Sequence, residues 1–347
     1  MTNSGSPHRT VPPADTNRLL SLIRSNVAAF KLDLSGLHVV VPTDSGFLAA
    51  MATTALHAGA GSVTAITAPS TRFRSAEAAA EKTRALASLA GLEHKLSIAE
   101  RIDDETCRAT NILVSGDFIR PATRSIIERL PPRSVIALTH EAWMTVKDEI
   151  DIEACIEHGV PVSAVSEAHP LVGGADYQPA LCLELFKAAE VGVRGAAVAL
   201  ICDNPLAGPL KNGLRSAGAQ MTVFPRADLV VEHGWNAIVL ALRPQDEPRL
   251  DIRDLGHLAK AAPDATIIQY WGDIDRKAAR YFELTVWPSR TPGKGQWGLP
   301  LQVLGPEPML QRIAGALRAA QTVLAGVTPE PGDLAQVLSS SDVSELA

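Results

Sequence analysis

The chain is poor in aromatic residues, 4% of 347 positions, so its cores must be built from Ala, Val, Leu and Ile within a hydrophobic fraction of 46%. Cysteine is also scarce. Cys107, Cys155, Cys182 and Cys202 stand far apart with no CxxC pair, which argues against a disulfide framework or a zinc ribbon and leaves buried free thiols as the expectation. No run of about 18 apolar residues is present, so no membrane span is expected. The opening stretch "MTNSGSPHRTVPPADT" lacks an apolar segment, which argues against a secretory signal and for a cytoplasmic location. The net charge is −6, with no basic stripe interleaved with aromatics, so nucleic acid is not an expected partner. No HxH or HExxH spacing occurs, and no metal site is expected. The one Gly-x-Gly-x-x-Gly string, "GKGQWG" from Gly293 to Gly298, lies before a Pro-broken segment and not before a helix.

What is present is an alternation. Residues 1–15 read as a polar lead, and "TNRLLSLIRSNVAAF" follows with helical spacing and Asp15 or Thr16 as its expected N-cap. Short apolar runs then alternate with helical segments: "LHVVVPTD", "SVTAITA", "NILVSGD", "SVIALTH" and "VPVSAV" as strands, with "SGFLAAMATTALHAGAG", "SAEAAAEKTRALASLAG", "PATRSIIERL" and "DIEACIEHG" as helices. Continuous apolar strands between helices predict a parallel sheet covered on both faces. A second set begins near Gly195, with strands "AAVALIC", "QMTVFP", "AIVLAL", "ATIIQY" and "FELTVWP". The expected organisation is an N-terminal lead and helix (1–35), a first Rossmann-like unit (36–175), a linking helix (176–194), a second Rossmann-like unit (195–305), and a C-terminal helix with a loose or locally helical tail (306–347). The fold class is thus α/β, two Rossmann-like parallel-sheet domains with an inter-domain cleft.

Three stretches resemble the D-2-hydroxyacid dehydrogenase superfamily, which has kinship with adenosylhomocysteinase-like domains. They are "DIEACIEHGVPVSAV", "SGDFIRPATRSIIERLP" and "APDATIIQYWGDIDRKAA", and the element order is similar over roughly residues 37–326. The resemblance implies a nicotinamide cofactor in the second unit, NAD or NADP, and a substrate carboxylate held by an Arg. It also places the family's glycine turn on "CDNPLAGPL": Asp203, Asn204, Pro205 and Gly208, with a single glycine left. The glycines let the backbone approach a pyrophosphate at a helix N-terminus, and Asp203 would bring a carboxylate there instead. The first unit's equivalent turn, with Asp44, Ser45 and Gly46, is no closer to the fingerprint. The ribose-binding acid falls on Pro225 or Arg226, and an Arg there favours NADP over NAD if a dinucleotide binds. Trp271 stands in the place of the family's catalytic Arg and cannot make a bidentate contact to a carboxylate. No His follows the last strand, where Lys294 and Gln296 are found.

Reactive side chains gather instead at expected strand ends, where open α/β sheets bind ligands. "THEAWM" supplies His140 and Glu141 as an expected acid/base pair, "SEAHP" supplies Glu167 and His169, and "QYWGDID" supplies Tyr270, Trp271 and Asp273. His140, Glu141 and His169 are the expected proton-transfer residues, with Trp271 and Asp273 shaping the substrate site. Asp203, Asn204, Pro205, Gly208 and Arg226 are the expected cofactor contacts. "PSRTPGKGQWG" could serve as a lid over an anionic ligand or as a surface loop. The expectation is a divergent NAD(P)-dependent oxidoreductase-like enzyme of a small polar metabolite, in specialised biosynthesis and as a homodimer. The alternatives are a lyase, isomerase or cyclase that has lost the dinucleotide, or a non-catalytic binding protein.

Overall fold

The computed structural model describes residues 13–338 except 45, 68–75, 117–118, 120 and 147–148. Most of the polar lead, Ser45 of the first turn, Asp117, Phe118 and Arg120 of the second resembling stretch, and the end of the tail lie outside the described residues. The chain divides into two compact units, one of residues 1–166 with 309–347 and the other of residues 167–308.

The first unit opens with α1 (Pro13–Ala29), which starts before the expected cap, so Asp15 and Thr16 lie within the helix. There follow β1 (His38–Pro42), α2 (Ala49–His57), β2 (Ser62–Ile66), α3 (Ala76–Leu89), β3 (Leu96–Ala99), α4 (Asp104–Ala109), β4 (Ile112–Val114), α5 (Arg124–Ile127), β5 (Val135–Ala137), α6 (Ile152–His158) and β6 (Val162–Val165). The expected helix "PATRSIIERL" shrinks to the four residues of α5. The α6 boundaries follow from local chemistry: the Asp151 side chain accepts from Ala154 N, and Gly159 closes the helix at φ 64°.

The second unit contains α7 (Gly174–Ala188), β7 (Ala197–Ile201), α8 (Ala207–Ser216), β8 (Gln220–Phe224), β9 (Ala237–Ala241), α9 (Ile252–Ala261), β10 (Thr266–Trp271), α10 (Arg276–Tyr281) and β11 (Val286–Trp287). The helix read as a linker is α7, and it belongs to this unit. It packs on α8 so closely that a Cβ on Gly213 would sit 2.1 Å from Pro179 Cβ. The chain then returns to the first unit through α11 (Glu307–Leu324) and β12 (Ala335–Val337).

The first sheet runs β12-β6-β5-β4-β1-β2-β3. Its β1 to β6 strands are parallel, with Val39 opposite both Val63 and Ile112. Only β12 is antiparallel, pairing Gln336 with Ala164, so the expected loose tail is in part a sheet-edge strand. The second sheet runs β11-β10-β9-β7-β8, all parallel. In both units the order reverses direction beside the first strand, between β1 and β4 and between β7 and β9. Doubly wound sheets bind ligands at such points, outside the strand carboxyl ends.

The cores follow the composition. In the second unit Ile201, Ile238, Leu240, Leu255, Leu258 and Ile267 are sealed from solvent. In the first unit Leu19, Leu20 and Ile23 of α1 meet Ala49, Leu86 and Leu310, which joins the C-terminal helix to the N-terminal one. All four cysteines are buried free thiols, and burial pushes Cys155 up to about 12 and Cys202 up to about 11.

Candidate functional site

The loop after β5 is fixed from three sides. Thr139 O accepts from Arg312 Nε at 3.0 Å, His140 O accepts from Val165 N at 3.2 Å, and Ala142 N donates to Gln336 Oε1 at 2.9 Å. This frame presents the His140 imidazole. Its Nδ1 lies 3.0 Å from Glu141 O, and its Nε2 lies 3.0 Å from Glu149 Oε1. A carbonyl oxygen only accepts, so Nδ1 carries a hydrogen. Nε2 and Glu149 then share a further proton, either as an imidazolium–carboxylate pair or with the proton on the carboxyl. The Glu149 side chain is 1% exposed and that of His140 12%, so the acid is sealed and the His140 side chain keeps a small exposure.

The expected pairing of His140 with Glu141 is corrected here. Glu141 enters a 3-10 turn (Ala142–Met144) in an extended conformation, and its carboxylate accepts the Trp143 indole N–H. The partner of the imidazole is Glu149, nine residues on, a spacing that matches no periodicity of helix or strand. Thr145 Oγ1 in the same loop is buried without a hydrogen-bond partner among the described residues.

In the second unit the turn after β7 is closed by its own side chains. Asn204 Nδ2 donates to Ala241 O at 2.7 Å, pinning the turn to the end of β9, and Asn204 Oδ1 accepts from Leu206 N at 3.1 Å. Asp203 forms an ion pair with Arg249 at 3.2 Å. Pro205 has no N–H. Gly208 faces open space where a Cβ would go, so close packing does not explain this glycine. Arg226 is clamped by Asp228 through two nitrogens at the surface.

His169 sits in the turn after β6, and its Nδ1 accepts from Leu171 N at 3.3 Å, which puts the proton of the neutral ring on Nε2. The stretch read as an acidic aromatic turn is largely strand. Tyr270 and Trp271 belong to β10 and are 0% and 3% exposed, so neither presents a substrate-shaping face. Trp271 Nε1 donates to Gly295 O at 3.1 Å, and Gly295 N reaches Asp273 Oδ2 at 3.4 Å, so both residues hold the 293–298 loop. Burial raises the Asp273 carboxyl above its ordinary range, against the Gly295 hydrogen bond and nearby Lys294. Lys294 itself pairs with Asp246.

Behind that loop lies a polar chain that single residue types did not announce. The Tyr270 hydroxyl donates to Gln178 Oε1, and Gln178 Nε2 donates to Glu167 Oε2 at 2.6 Å. Trp297 stacks on Tyr270 with ring centroids 5.8 Å apart. Arg276 adds a half-buried cation held by the Gln269 side chain and by Pro288 O, and burial lowers its proton affinity. The residues expected to transfer protons fall in different units, His140 and Glu141 in the first and His169 in the second. Among the described residues, no three His, Cys, Asp or Glu side chains come together as metal ligands, and no helix is long and apolar enough to cross a membrane.

The two doubly wound units define an α/β protein of two Rossmann-like domains. No family model matches the sequence, and no curated protein matches it. Solved structures do share the fold. It is similar to a dipicolinate synthase chain from Bacillus subtilis, with TM-score 0.55 and 12% identity over 85% of this chain and 99% of that one. The dipicolinate synthase chain from Bacillus halodurans gives TM-score 0.54 and 12% identity over 84% and 99%. A pyruvate reductase of Chlamydomonas reinhardtii gives TM-score 0.52 and 12% identity over 85% and 98%. The structural similarity to D-2-hydroxyacid dehydrogenases expected from the sequence is therefore found, and at this identity it is a likeness of fold.

Proposed function

We propose that this chain is an enzyme of a small polar metabolite that works by proton transfer, as a lyase or isomerase does, on the fold of the hydroxyacid dehydrogenases. The observation that carries the reading is the sealed Glu149 carboxylate 3.0 Å from Nε2 of His140, whose side chain keeps 12% of its exposure. A buried acid that orients an imidazole and balances its charge lets the ring take and return a proton. Both ring nitrogens are bonded within the loop, Nδ1 to Glu141 O and Nε2 to Glu149 Oε1, so a substrate reaches His140 by displacing Glu149 from Nε2, and Glu149 is the positioning residue that holds the ring until then. Hydride transfer to a 2-oxo acid is disfavoured because the position of the family's Arg holds Trp271, which is buried and spent on Gly295 O.

The test begins with a panel of small 2-oxo, 2-hydroxy and dicarboxylic acids, screened by thermal melting of the whole chain and then for turnover. For a compound that binds and is converted, His140→Gln should lower kcat by about 10²–10⁴-fold, the usual contribution of a positioned acid/base group. Glu149→Gln should shift the pH profile with a smaller loss of kcat. Wild-type rates in His140→Gln, on a variant that melts like the parent, would refute the assignment. Single substitution of His169 asks separately whether the second unit supplies a proton-transfer group.

A further inference from the structure

We infer that neither Rossmann-like unit takes a nicotinamide dinucleotide at the place this fold offers for one, because each unit's own side chains already fill it. A dinucleotide pyrophosphate is held by backbone N–H groups at the N-terminus of the helix after the first strand. At three successive positions of the second unit those donors are missing or taken. In the second unit Pro205 has none, Leu206 N is bonded to Asn204 Oδ1 at 3.1 Å, and Ala207 N is bonded to Asn204 O at 3.1 Å. The entry to α8 thus offers no donor at positions 205 to 207.

In the first unit a carboxylate takes two of the donors. Asp44 is 2% exposed, and its Oδ1 accepts from Gly46 N at 2.7 Å and from Leu48 N at 3.2 Å. A carboxylate therefore stands at the entry to α2 where a phosphate oxygen would have to stand, and Lys82 supplies its nearby positive charge. In the second unit Asp203 adds a negative charge beside the turn. Arg249, the cation that could attract a phosphate there, is 18% exposed and already paired to Asp203 at 3.2 Å. Arg226, at the position the resemblance gives the ribose, lies in an exposed pair with Asp228 and so neither bars nor favours an anion there. Binding a pyrophosphate would have to exchange two or more of these contacts for its own and place like charges together, since the carboxylates of Asp44 and Asp203 stay beside the turns.

This deepens the redox-neutral reading of the chain but rests on different residues. The residues present do not fit the nicotinamide cofactor that the fold family implies, and no hydride step is assigned to them. The test uses the full chain with NAD+, NADH, NADP+ and NADPH, each followed by thermal melting and by equilibrium dialysis. The expected result is a cooperative melt at an unchanged midpoint and no retained nucleotide. Saturable binding of any of the four to the wild-type chain overturns the inference. An Asp203→Asn arm asks whether charge alone excludes the nucleotide, and saturable binding to it overturns the claim that the capped turn lacks donors. The two proposals fail separately. Dinucleotide binding with turnover still lost in His140→Gln would sink this inference and keep the acid–base reading. No binding with a fully active His140→Gln would do the reverse.

Discussion

Replacing Tyr270 with Phe removes one oxygen atom and tests whether the buried polar chain in the second unit is a unit of stability. Tyr270 and Gln178 are 0% and 2% exposed, and the Tyr270 hydroxyl is the partner of Gln178 Oε1. The substitution conserves ring volume, so no sizeable cavity forms. The carbonyl of Gln178 is left buried without a donor, which costs about 1–3 kcal/mol. For a unit of this size that corresponds to a fall in melting midpoint of roughly 3–12 °C. Gln178→Leu should cost more, because the 4%-exposed Glu167 carboxylate then loses its Nε2 donor as well. In the Gln178→Leu background, Tyr270→Phe should be nearly silent, giving a coupling energy of about 0.5–3 kcal/mol in a double-mutant cycle read by urea unfolding. A Tyr270→Phe variant as stable as the parent, or additive effects, would refute the reasoning.

Gly213→Ala should destabilise the second unit by about 1–3 kcal/mol in urea, because its Cβ would lie 2.1 Å from Pro179 Cβ between two packed helices. A neutral result would show that α7 and α8 can part at that point. Asp273 gives a pH test whose sign is fixed by burial. Its folded value is raised above the ordinary 3.8, so the stability it contributes is present below that value and lost as pH rises through the folded one. Asp273→Asn should therefore gain on the wild type as pH is raised from about 4 to 7 in a series of urea midpoints. A difference that shrinks with rising pH would contradict this.

Sequence pattern revealed the parts whose signal is local. Strands β7 and β9 are runs of five apolar residues, all five buried, and such runs read directly as interior parallel strands. The stretch "DIEACIEHG" reads as a helix, and its first and last residues, Asp151 and Gly159, are the caps of α6. Strand β3 is not legible in the sequence, because an edge strand of sequence "LSIA" is only partly buried and carries no clear alternation. Strand β12 depends on the free edge of β6, which lies far off in sequence, and its own residues resemble a loop. The candidate site divides in the same way. His140 and Glu141 could be placed at a strand end, yet the choice of Glu149 over Glu141 as partner depends on the conformation of the intervening loop. The missing glycines at 203–208 were visible, whereas the Asn204 bonds and the Arg249 pairing that fill their place were not.

The path of the chain has a consequence for synthesis. The first unit is interrupted after Ser166 and completed by α11 and β12, while the second is continuous from Glu167 to Pro308. On a ribosome, the second unit is therefore entirely emerged before its host has received the helix that joins Leu310 to Ile23, or the strand that shields the β6 edge. Until then a six-strand sheet carries an open, hydrogen-bond-hungry border, the kind of border that invites pairing with a neighbouring nascent chain.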